Sequence, residues 1–189
     1  MGGRNAREAF GNHVDLLRAA LGCVTHPRLT VSPRSTPAVD TTYSIALNDL
    51  DPVALSGGVP LMLTAGQFVR VEALAPDDPR GLYEIRLTQY LYALSTADDR
   101  EILAFHWTPE AREHGVVTTP HLHIGPAISA GQTTVRTGDL HKVHLPTGRV
   151  SIEAVIRLAI TEFGVVPKRR NWERVLRRTE DAFGRSEVR

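Results

Sequence analysis

A single cysteine, Cys23, stands in a chain of 189 residues. That excludes an intramolecular disulfide framework and any cysteine-based zinc site. Lysine is almost as scarce: Lys142 and Lys168 are the only two, so 20 of the 22 basic residues are arginine. A GC-rich coding sequence accounts for that bias, since most of the arginines are scattered. Formal net charge is only +1, which excludes a global basic field that would announce nucleic acid. No apolar run approaches the ~20 residues of a membrane span. Residues 1–10 lack the basic-then-apolar order of a signal peptide. The expectation is a soluble, cytoplasmic protein with no membrane partner. At 42% hydrophobic and 23% charged, the chain is long enough to bury a core without staples.

Periodicity divides the chain into three parts. Residues 5–24 read as a helix, with Phe10, Val14, Leu17 and Leu21 on one stripe. Residues 26–40 carry Pro27, Pro33 and Pro37 and read as an extended connector. The expected organisation is an N-terminal helix and connector over 1–39 and a main domain over 40–189. Strands are expected over 41–47, 67–73, 82–94 and 101–107, with 121–124 as a further one. In the clearest of them, Tyr83, Ile85, Leu87, Leu91 and Ala93 share one parity, which predicts them as its apolar face. Leu103, Phe105 and Trp107 share a face of the next. After Pro146 the period changes to 3.6. Ser151 is a suitable N-cap for a helix over 152–163, and another is expected over 172–183. Strands followed by helices read as α+β: an antiparallel meander of four to six strands, with an N-terminal helix and two C-terminal helices on one face.

Histidine is the residue that is concentrated. Six of the eight lie between positions 106 and 144: His106, His114, His121, His123, His141 and His144. On a strand, His121 and His123 leave the same face. That spacing suits two ligands of one metal, or an acid and a base beside one scissile group. His141 and His144 share a face only in a helix, which Leu145-Pro146 makes short. Asp139 is the only carboxylate between Glu113 and Glu153, and serves as well for a turn residue as for a ligand. Each histidine has an ordinary alternative role in capping a turn or facing water.

Several motifs are incomplete. Gly115-x5-His121-x-His123 resembles the start of a cupin metal motif, but Ala127 and Ile128 stand where the motif needs glutamate. The Ser-x-x-Asp that follows His-x-His in metal-dependent deubiquitinases is missing. So are the His-x-Thr/Ser units of two-histidine phosphoesterases. A second constellation is basic: Lys168, Arg169, Arg170, Arg174, Arg177 and Arg178 lie within eleven residues. Helical spacing puts Arg170, Arg174, Arg177 and Arg178 on roughly one side, where they could grip phosphates or stay solvated.

Tyr90-Leu91-Tyr92, the turn through Asp98-Asp99, the stretch from Ile102 to Trp107, Pro109 and then Pro120-His121-Leu122-His123-Ile124 occur in that order. This resembles the TumE-like family of prokaryotic toxin–antitoxin proteins over roughly residues 82–160. Trp107-Thr108-Pro109-Glu110 departs from that family's Asn-Ala-Pro-His. The resemblance implies a toxin or defence protein acting on RNA, with an antitoxin-like protein partner. In that reading His121 and His123 are the reacting pair, with His106 and His144 in support. The arginines at 170, 174, 177 and 178 then hold RNA. The alternatives are a non-catalytic protein-interaction module and a metal-dependent, cupin-like enzyme.

Overall fold

The computed structural model describes residues 2–79, 81–110, 117–125 and 144–184. Helix α1 spans Ala6–Leu21, and the Asn5 side chain caps it by accepting from the Glu8 N–H. Among the described residues eight strands follow: β1 (Leu29–Ser32), β2 (Thr42–Leu47), β3 (Val53–Leu55), β4 (Leu61–Ala73), β5 (Tyr83–Thr96), β6 (Glu101–Trp107), β7 (His121–Ile124) and β8 (His144–Pro146). Two helices close the fold, α2 (Ile152–Thr161) and α3 (Trp172–Gly184). The class is α+β, as the change of period predicts. No helix among the described residues is long and apolar enough to cross a membrane.

All strand pairs are antiparallel, in the order β1-β2-β4-β5-β6-β7-β8, with β3 beside the start of β4. Eight strands replace the expected four to six. The extra ones, β1, β3 and β8, are three or four residues long, too short to show a period of two. Their ladders come from neighbours already in place. β1 lies inside the Pro-rich connector. The Tyr43 hydroxyl holds that connector down, accepting from the Ala38 N–H at 2.9 Å and donating to the Thr36 carbonyl at 3.3 Å. β4 runs six residues further upstream than expected, because Leu61, Leu63 and Ala65 alternate into the core.

The faces of β5 differ from the simple alternation. Val69 pairs with Leu87 but Phe68 pairs with Gln89, so Thr88 is an extra residue. Its hydroxyl donates to the Phe68 carbonyl at 3.1 Å. One inserted residue inverts the parity of everything after it. Ile85 and Leu87 are buried as predicted, but beyond Thr88 the buried residues are Tyr90, Tyr92 and Leu94. Leu91 and Ala93 turn to the opposite face, half-buried.

The helices cover the tyrosine face. Phe10 of α1 packs on Tyr43 with ring centres 4.9 Å apart, and His13 of α1 meets Gln67 of β4 at 2.9 Å. The Gln67 amide in turn donates to the Tyr92 hydroxyl at 2.7 Å. The Tyr90 hydroxyl accepts from the Val150 N–H just before α2. Ser151 caps α2 through the Ala154 N–H and donates to Glu180 of α3, which also accepts from Arg157 at 2.8 Å. The cap therefore also ties the two C-terminal helices together.

At the end of β7 the chain runs close against β6. The Gly125 N–H donates to the Ile102 carbonyl at 2.8 Å, and a Cβ at Gly125 would overlap the Glu101 carbonyl. Gly125→Ala is expected to cost about 1–3 kcal/mol through this backbone collision. That corresponds to a melting temperature lower by roughly 2–10 °C. Amide exchange should quicken first in β7. Unchanged protection there would show that the β6–β7 ladder does not depend on the close approach.

Candidate metal centre

The strand ladder places the histidines. His106 of β6 is directly opposite His121 of β7, and His123 of β7 is directly opposite His144 of β8. Cross-strand partners share a face, and residues two apart on a strand do too. All four imidazoles therefore stand on one side of the sheet. That side is the one carrying Leu91, the β5 partner of His106. It is opposite the side covered by the three helices.

The rings form a compact group. Centroid separations are 4.8 Å for His106–His123, 4.9 Å for His121–His123, 5.0 Å for His121–His144 and 4.5 Å for His123–His144. His106, His121 and His123 each offer a ring nitrogen within 4.8 Å of the other two. Three imidazole nitrogens on one zinc ion stand about 3.3 Å apart, so small side-chain rotations bring the set into coordination. His121 is 5% exposed, His106 and His123 are half-buried, and His144 stands exposed at the edge. Among the described residues no carboxylate joins the group.

Two details bear on the lone pairs. The His121 Nδ1 lies 2.7 Å from the Thr119 carbonyl. A carbonyl only accepts, so Nδ1 carries the proton, and in the neutral ring Nε2 is left with a free lone pair. A hydrogen bond from the far nitrogen to a carbonyl is the arrangement that orients metal-binding histidines. Among the described residues the buried His106 Nε2 has no hydrogen-bond partner. A buried polar atom left unmatched in this way is rare and costly.

The charged forms are disfavoured. Burial, then the neighbouring His123, His121 and His144 rings, push the His106 pKa down to about 4. Burial followed by His144 and His121 holds His123 below its ordinary value. An all-imidazole donor set suits a divalent ion of intermediate softness, such as Zn²⁺, better than Mg²⁺ or Ca²⁺.

The structure brings together His106, His121, His123 and His144. His114, His141 and Asp139 lie outside the described residues. Arg170, Arg174, Arg177 and Arg178 are all exposed on or beside α3, on the helix side of the sheet. They do not converge on the histidines. His13, outside the histidine-rich window, is the polar link in the core described above. Burial lowers its pKa, which favours the neutral ring that bonds Gln67.

No family model matches the chain, and neither a curated protein nor a solved structure matches it.

The folded-state pKa of His106 is depressed from ~6.5, so its contribution to stability is present above that pH. It is lost as pH falls from about 6.5 towards 4. With chelator present, the melting temperature should drop across that window, by about 2–4 °C per kcal/mol. His106→Gln should show a shallower slope. Parallel slopes for the two proteins would place the titrating group elsewhere.

Proposed function

We propose that the chain is a metal-dependent hydrolase of the toxin or defence type, acting on RNA through a centre formed by His106, His121 and His123. The observation that carries the metal reading is the convergence of ring nitrogens from His106, His121 and His123, each within 4.8 Å of the others. Three histidine ligands leave an ion at least one open position for water. His106, His121 and His123 would hold the ion, whose chemistry would be the activation of water as a nucleophile near neutral pH. In hydrolysis of a phosphodiester, the water oxygen bonds to phosphorus and an ester P–O bond breaks. One water proton goes to the departing oxygen and the other to solvent. The choice of RNA as substrate is supported by the resemblance to TumE-like proteins and by the dense cations near α3.

Metal-free acid–base cleavage by the histidine pair needs one imidazolium as the proton donor. Burial and the neighbouring rings hold His106 and His123 below their ordinary value, which opposes that form at these two rings and suits both as neutral ligands.

Protein purified without a histidine tag should hold about one equivalent of Zn²⁺ per chain by elemental mass spectrometry. His106→Ala and His123→Ala should each weaken Zn²⁺ by at least ~100-fold, the upper range seen even for outer-shell changes. Any RNA cleavage should stop with chelator and return with Zn²⁺. Full metal retention in both variants would sink the metal centre. Cleavage that persists in chelator and needs His121 would restore acid–base catalysis. A metal-free protein that neither cleaves RNA nor loses function in these variants would favour the interaction-module reading.

A further inference from the structure

Residues 168–178 carry six cations and a single acid, Glu173, whereas the whole chain is only +1. The rest of the molecule is therefore net negative, and positive charge is segregated onto one short segment. All six of these cations are exposed. The fold uses other arginines for its own ion pairs: Arg18 with Asp15, Arg86 with Glu72, and Arg157 with Glu180. Arg170, Arg174, Arg177 and Arg178 take part in none among the described residues. Meanwhile α3 is anchored through its other side, where Leu176 and Thr179 are buried. Anchoring α3 thus leaves its guanidinium groups for an external partner.

We propose that this face of α3, with the segment leading into it, is a docking surface for single-stranded RNA, separate from the histidine centre and on the opposite side of the sheet. Charge complementarity selects a polyanion. Among the described side chains of α3 no large apolar one is exposed, which gives a membrane surface no apolar contact there. Five of the six cations are arginine. A guanidinium grips phosphate oxygens in pairs and also stacks on unpaired bases, which a lysine ammonium does not do. The surface holds a strand at a distance from the reacting groups and acts on affinity alone. The choice of RNA rests on the functional reading above, but binding is measured without cleavage, so the two can fail separately.

The test is fluorescence anisotropy of a short labelled single-stranded RNA with the full chain in chelator, from about 50 to 200 mM salt. Four phosphate contacts predict a log–log slope near −3. Arg174→Glu with Arg177→Glu should weaken binding more than tenfold and flatten the slope by about 1.4, with melting unchanged because both side chains are solvent-exposed. Arg174→Lys with Arg177→Lys should keep most of the slope while losing affinity. Arg100→Ala, an exposed arginine paired with Asp98 in the β5–β6 turn, should bind as the wild type does. Wild-type strength in the double glutamate variant would overturn the proposal. So would equally tight binding of polyglutamate or of duplex DNA of the same length, or no RNA binding at the lowest salt.

Discussion

Thr88 is one residue more than the β4–β5 ladder can pair, and the sheet accommodates it as a bulge. Upstream of it, Ile85 and Leu87 face the helices; downstream, Tyr90, Tyr92 and Leu94 do. The downstream half of β5 is the template for β6, β6 for β7, and β7 for β8. The parity set at Thr88 is therefore handed on across three more strands. It places Trp107 beside Tyr90 under the helices and His106 beside Leu91 on the other face. Without that inversion the imidazoles would turn towards the helices, and Tyr90, Tyr92 and Trp107 away from them.

Gathering four imidazoles has a physical cost that the rest of the fold must carry. Neighbouring rings at centroid separations of 4.5–5.0 Å repel when charged. Partial burial and the neighbouring rings hold His106 and His123 towards the neutral form. Among the described residues the buried His106 Nε2 has no hydrogen-bond partner. A bound cation would take ring lone pairs without requiring the rings to be charged.

The helix layer meets different demands. Its inner side is tied by specific polar links: His13 to Gln67 to Tyr92, Val150 to Tyr90, and Ser151 to Glu180. These buried bonds fix where α1, α2 and α3 sit, and so fix the outward direction of the arginines. The histidines and the arginines thus stand on opposite sides of the sheet.

Much of this was legible in the linear chain. The stripe from Phe10 to Leu21, the Ser151 cap, the helix after it and the shared face of His121 and His123 follow from local rules of period and capping. They are local because each depends on neighbours within about one turn of helix or one pair of strand residues. The burial of Tyr90 and Tyr92 was not legible, because a bulge is settled between two strands and leaves no mark in the alternation of either. The short strands β1, β3 and β8 were hidden for a related reason: each is stable only because a longer neighbour offers it a ladder. His144 joins the cluster through β8, whose pairing partner is more than twenty residues upstream. Period and composition assigned the residue types to helix, strand and candidate site. Pairing between distant segments decided which side of the sheet each one faces, because in a sheet the facing of a side chain is set by register, and register is a property of two strands together.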